Sequence, residues 1–210
     1  MSEVGGEEAF EVPTPGGPAR VRLTVGGRRG LLCLGHGAGG GTDAPDLLAV
    51  TAAVASAGWT VARIDQPYRV AGRRAPAPAP RLDEAWTAVV LALAPSAGDR
   101  VLVTGGRSSG ARVACRTAAA VGAAGVVCLA FPLLPPARRA ASTPPRSRLD
   151  ELVGAGVPTL VVQGERDPFG GPAEFPSSVE VVAVPGDHSL RRSADAVASA
   201  VVRWLGQRVA

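Results

Sequence analysis

Val101 to Ala114, VLVTGGRSSGARVA, passes from an apolar run through glycines and a serine pair into a second apolar pattern. The spacing predicts a strand over Arg100 to Thr104 and a helix running to about Val121. Between them stands Gly106-Arg107-Ser108-Ser109-Gly110, which is G-x-S-x-G. A serine at the tip of a tight strand-to-helix turn is pushed out where it can attack a substrate. The flanking positions must be small so that strand and helix can approach. The five-residue pattern alone is a weak signal, and a glycine-rich turn with Ser108 as a helix cap would also produce it. Its place directly between a strand and a helix gives it weight.

Upstream, residues 1–19 are acidic and then rich in Gly and Pro, so they read as a loose N-terminal segment. Arg20 to Val25 alternates like an edge strand, and Gly30 to Leu34 is a buried strand ending in glycines. Thr42 or Asp43 can cap a helix that has Pro45 near its first position and reaches about Ala57. Trp59 to Ile64 is the next strand, residues 72–80 form a loop, and Leu82 to Ala94 is a helix ended by Pro95. Downstream, Gly125 to Phe131 is a buried strand and Pro132 to Arg148 a Pro/Arg-rich connection, a candidate lid. A short helix follows near Leu149 to Val153. Val157 to Gln163 and Val179 to Val184 are strands, and Ser193 to Val209 is a closing amphipathic helix. Strands that are apolar throughout and alternate with helices indicate an α/β fold, a mostly parallel sheet covered on both faces. No repeat and no shift of composition divides residues 1–210, which read as one domain.

Composition removes several mechanisms. Apolar residues make up 46% and charged residues 19%, a globular balance, and aromatics only 4%. All 22 basic residues are Arg, and neither Lys nor Asn occurs. Schiff-base catalysis, a Walker A loop and a Ser-x-x-Lys site are therefore excluded. The net charge of +4 comes from scattered arginines rather than a basic stripe, so nucleic acid is not an expected partner. Three separated cysteines in apolar segments suit buried thiols in a reducing compartment. The acidic N-terminus is unlike a signal peptide, and the most apolar stretch, Thr117 to Leu134, contains Pro132. These features predict a cytoplasmic protein with no membrane association; they leave a homodimer open.

A serine nucleophile needs a base, and the base needs an acid to orient it. Two histidines exist, His36 and His188, each after a strand. His188 follows the last strand, and Asp167 follows the one before it, fixed by Pro168. Asp187 and Glu165 are rival acids. An oxyanion hole requires two backbone N–H groups aimed at one point. Ser109, next to the nucleophile, offers one. Ala38, with Gly37 as alternative, offers the other from the loop HGAGG at residues 36–40. Gly37, Tyr68 and Arg107 are candidate substrate-binding residues. Tyr68 with Arg69, Arg73 or Arg74 would border an acyl or leaving-group pocket suited to an anionic substrate such as an acyl-carrier thioester. The same loop fits a second template, Gly35-x-Gly37-x-x-Gly40 with Asp65 ending the next strand, as in dinucleotide sites. Against it, the helix start at Thr42 to Pro45 comes too late, and Ser108, Asp167 and His188 would have no role.

Taken together, HGAGG, GGRSSGARVA at 105–114, FPLLPP at 131–136, VQGERDPFG at 162–170 and GDHSL at 186–190 resemble the α/β-hydrolase superfamily over nearly the whole chain. They are most similar to a dienelactone-hydrolase-like group that includes a testis-expressed protein. Ser109, Gly110 and Ala111 stand where that group usually has Met-Gly and then a second Gly. The nucleophile is Ser rather than the Cys of dienelactone hydrolase. The resemblance implies an α/β-hydrolase fold with minimal or no cap, and a Ser108–Asp167–His188 triad that needs no cofactor and no metal. The expected substrate is a small-molecule acyl ester or thioester. A non-catalytic interaction module on the same fold is the alternative.

Overall fold

The computed structural model describes residues 6–98, 100–135 and 146–209. In chain order the elements are β1 (Glu7–Val12), β2 (Ala19–Val25), β3 (Gly30–Gly35), α1 (Pro45–Ser56), β4 (Thr60–Asp65), α2 (Pro67–Val70) and α3 (Ala79–Ala97). Then come β5 (Val101–Arg107), α4 (Ser109–Thr117), β6 (Gly125–Leu129), α5 (Leu149–Val153), β7 (Thr159–Gly164), β8 (Glu180–Val184) and α6 (Ala194–Arg208). They form one eight-stranded sheet in the order β1-β2-β4-β3-β5-β6-β7-β8. β2 pairs antiparallel with both β1 and β4, and every pairing from β4 to β8 is parallel.

The central strands are apolar on both sides because helices cover both faces. All six residues of β3 and all five of β6 are buried. One face carries Trp86, Val89, Ala111, Val113 and Phe131, which pack α3 and α4 onto the sheet. The other carries Leu47, Val50, Val54, Val197, Val201 and Trp204, which close α1 and α6 over it. Full burial of such side chains stabilises by about 1.5–3 kcal/mol each, before the opposing entropy of ordering the chain. With few aromatics, the core relies on many such aliphatic contacts.

Four expectations need correction. The N-terminal segment is not loose throughout, because Glu7–Val12 forms the edge strand and puts β2 one position inside it. Its glutamates meet arginines of β2 and β4: Glu11 bonds Arg20 at 2.9 Å, and Glu7 bonds Arg63. Second, α1 begins after Ala44 with no side-chain cap. The Thr42 hydroxyl instead accepts from Arg22 at 2.8 Å, which removes it from capping. Third, α3 starts at Ala79, inside the expected loop, and passes Pro95 to end at Ala97, with Gly98 at φ +61. In the last turn a proline forfeits only one helical hydrogen bond, so the helix tolerates it. Fourth, residues 67–70 form a helical turn that the sequence reading left out. Most of the candidate lid, residues 136–145, lies outside the described residues.

The parallel strands share one direction, so their carboxyl ends lie along one edge, where open α/β sheets place their sites. The segments after β3, β5, β7 and β8 all open there, with His36, Ser108, Asp167 and His188 in them.

Candidate active site

Ser108 lies between β5 and α4 at φ 53, ψ −108, a conformation that non-glycine residues avoid. Its N–H is fixed to the Leu129 carbonyl at 2.9 Å. The flanking glycines have a steric reason. A Cβ at Gly110 would stand 2.5 Å from the Gly35 carbonyl oxygen, and one at Gly106 equally close to it. Strand β3 thus presses against the turn and holds the serine in its strained position.

Three side chains from separate loops form one line of hydrogen bonds. His188 Nε2 is 2.9 Å from Ser108 Oγ, and His188 Nδ1 is 2.7 Å from Asp167 Oδ2. A carboxylate only accepts, so Nδ1 carries the hydrogen and Nε2 is free to accept the serine proton. Asp167 is buried and well supplied with donors. The Phe169 N–H reaches Oδ1 at 2.9 Å, and the Gln163 amide reaches Oδ2 at 3.0 Å. Gln163 also donates to the Phe131 and Gly170 carbonyls at 3.2 and 2.7 Å. The rival acids point elsewhere: Asp187 accepts from the N–H and hydroxyl of Ser189, and Glu165 is exposed. The Phe169 ring meets the His188 ring edge-on at 4.6 Å.

The loop after β3 supplies a second wall. Gly37, Ala38, Gly39 and Gly40 line a cavity of about 570 Å³ together with Ser108, Ser109 and His188. Among the described residues, neither the Ala38 nor the Ser109 N–H meets an acceptor. His36 holds this loop from behind. Its Nε2 accepts from the Gln66 N–H at 3.1 Å, so its Nδ1–H donates to the Gly37 carbonyl at 2.8 Å. Burial, the dominant influence, lowers its pKa and keeps it neutral. The Tyr68 hydroxyl donates to the Ala38 carbonyl at 2.9 Å, and burial pushes its pKa up to about 12.

Arg107 lines the cavity but directs donors inward. Its Nη2 donates to the His188 carbonyl at 3.0 Å, and its Nε lies 3.3 Å from Asp46. Asp46 is fully buried, which raises its carboxyl pKa against the pull of Arg107. Tyr68 and Arg73 line a neighbouring cavity of about 530 Å³, and Arg69 lines a third with Arg20, Arg22 and Asp65. Tyr68 and Arg73 thus stand beside the Ser108 cavity, whose wall of Pro76, Ala77 and Leu82 the two cavities share, rather than lining it directly. The dinucleotide alternative also loses its acid, since Asp65 is bonded to Arg22 and to the Thr42 N–H.

Sequence reasoning missed Gln163, Phe169 and Asp46. Gln163 left a trace, a lone amide ending the apolar run Leu160–Val162 just before Gly164. Phe169 and Asp46 left none, since an aromatic after Asp-Pro and an acid in a first helical turn are ordinary.

Residues 28–201 match the alpha/beta hydrolase domain family, and the chain belongs to it. No curated protein matches the chain by sequence. Its fold is shared with an α/β serine hydrolase without a lid from Xanthomonas campestris at 17% identity and TM-score 0.74, covering 98% of this chain and 97% of that one. A serine hydrolase homologue from Coxiella burnetii is similar at 18% identity and TM-score 0.77, covering 97% and 100%. The esterase Pf2001 from Pyrococcus furiosus is similar at 16% identity and TM-score 0.77, covering 98% and 91%. At such identities the likeness concerns the fold: a mostly parallel sheet with helices on both faces and no large cap among the described residues.

Proposed function

We propose that the protein is a serine hydrolase that cleaves a small ester or thioester through an acyl-enzyme intermediate. The observation that carries this reading is the unbroken hydrogen-bonded line from buried Asp167 through His188 to the strained Ser108. Ser108 Oγ attacks the carbonyl carbon while His188 Nε2 takes its proton. Asp167 holds the ring in the required tautomer and stabilises the imidazolium. The oxyanion that forms is met by the unpartnered N–H groups of Ala38 and Ser109, a contribution of about 3–4 kcal/mol per donor in comparable sites. His188 then returns the proton to the leaving group. A water activated by the same ring releases the acid and restores Ser108. These steps call for no cofactor or metal.

The cavity of about 570 Å³ suits a small acyl group and a modest leaving group. Among the described residues no helix is long and apolar enough to cross a membrane. A cytoplasmic location remains part of this reading. A fluorophosphonate probe applied to wild type and to Ser108→Ala tests the function. Labelling of wild type alone is expected; absence of Ser108-dependent labelling overturns the hydrolase reading in favour of an interaction module.

A further inference from the structure

Five arginines, Arg107, Arg112, Arg116, Arg148 and Arg191, line the cavity that holds Ser108, and among the described residues no Asp or Glu lines it. Three of them are matched from behind. Arg107 faces buried Asp46 at 3.3 Å. Arg112 grips Glu151 through two bonds of 2.7 and 2.6 Å. Arg116 grips Asp83 through two bonds of 2.8 and 2.6 Å and reaches Glu151 at 3.0 Å. The other two are not gripped by a carboxylate among the described residues. Among the described residues the Arg148 side chain donates only to the Pro132 and Leu134 carbonyls, both through Nη1, at 3.0 and 3.5 Å. Among the described residues, neither Arg148 nor Arg191 has a carboxylate within ion-pairing distance.

Arg148 is also held in an unfavourable field. Its pKa is lowered first by burial and then by the Arg112 guanidinium, with Arg116 adding to the effect against Glu151. A half-buried guanidinium beside two others is relieved by an incoming anion. Its Nε and Nη2 hydrogens, which meet no acceptor among the described residues, form the fork that suits a carboxylate or phosphate. A cleft lined by one sign of charge concentrates ligands of the other.

We propose that the substrate is an ester or thioester bearing a carboxylate or phosphate group, and that Arg148 binds this anion with Arg191 reinforcing the field; this rests on the hydrolase reading above. The anion-selecting arginines are thus Arg148 at the start of α5 and Arg191 after His188, not those near Tyr68.

The test compares kcat/KM for matched substrates. On the acyl side, 4-nitrophenyl hydrogen succinate is set against its methyl ester. On the leaving-group side, phenyl acetate is set against its 4-carboxy and 4-phosphate derivatives. At least one anionic member should exceed its neutral partner by about tenfold or more, as charge-assisted hydrogen bonding allows, and the ratio should shrink as salt is added. The carboxy and phosphate arms distinguish the two anions. Arg148→Gln should bring the ratio close to unity, and Arg148→Lys should restore part of it. If Arg148→Gln does not fold, Arg191→Gln should still reduce the ratio. Slower fluorophosphonate labelling of Ser108 in the presence of succinate or phenyl phosphate gives a readout that needs no turnover. Ser108-dependent hydrolysis of neutral esters with no anion preference, or a preference that survives Arg148→Gln, overturns this proposal and leaves the hydrolase reading intact. Absence of Ser108 labelling overturns both.

Discussion

The segments after β3 and β8 each carry one of the two histidines of the chain, and they use the imidazole ring in opposite ways. His36 is buried, and both of its nitrogens are committed to backbone groups of Gly37 and Gln66. His188 is 19% exposed at its side chain and spends both nitrogens on side chains, Asp167 and Ser108. The first arrangement fixes a loop. The second leaves a proton acceptor in contact with a hydroxyl at the wall of a cavity. A ring nitrogen bound to a backbone N–H cannot take a proton without breaking that bond, whereas one bound to a serine hydroxyl takes the proton of its own partner. Both are histidines at strand ends; the difference lies in what the neighbouring strands bring to them.

The sharpest way to break this contrast is to remove each ring in turn. His188→Ala should lower kcat for an activated ester by about 10⁵-fold or more while shifting stability by less than about 1 kcal/mol. Steady-state kinetics beside a urea melt checks both halves. An intact rate would mean that the ring is not the base.

Next in size is the clamp on the acid. Gln163→Leu removes the amide from Asp167 and, among the described residues, leaves the Gly170 carbonyl without a donor, while the Phe131 carbonyl keeps the Leu133 N–H. A fall in kcat of about 10–100-fold with little change in KM is expected, since an orienting partner acts through the general base. It should be accompanied by a loss of stability of about 1–3 kcal/mol.

His36 should show its role in stability and pH dependence. Its folded pKa lies below the ordinary 6.5, with burial the main cause. A depressed folded value means that its contribution is complete above 6.5 and is lost as pH falls through the folded value. Denaturant midpoints measured from about pH 7.5 to about pH 5 should therefore fall for wild type and fall less for His36→Gln, which carries no titrating ring. At the upper end the variant should be less stable by about 1–3 kcal/mol. Equal slopes would remove His36 from the account.

The smallest effect concerns the prop beneath the same loop. Tyr68→Phe deletes the bond to the Ala38 carbonyl and should cost about 0.5–1.5 kcal/mol of stability. If Ala38 stabilises the oxyanion, the same change should lower kcat by a few-fold without raising KM for a short ester.

Much of this was legible in the residues. The period and burial of β3, β5, β6 and β7 follow from apolar runs ending in glycine or a polar turn, because a strand covered on both faces must be apolar on both. Ser108, Asp167 and His188 could be picked out because two histidines and no lysine left few bases, and because each candidate stood just after a strand. The edge strand Glu7–Val12 was hidden, since its acidic residues are explained only by Arg20 and Arg63, which the fold brings across from other strands. The arginines lining the Ser108 cavity were hidden for a related reason: Arg112, Arg116 and Arg148 come to it from parts of the chain far from Tyr68 in sequence.

The sequence by itself determined the layer architecture, the position of the serine turn and the short list of acid–base groups, because local periodicity and residue chemistry act over a few residues. Tertiary structure alone decided which acid meets His188, why His36 cannot serve as the base, and which arginines meet no carboxylate among the described residues. Those outcomes depend on contacts between residues far apart in the chain. There a difference of one ångström separates a hydrogen bond from none, and no local pattern records it.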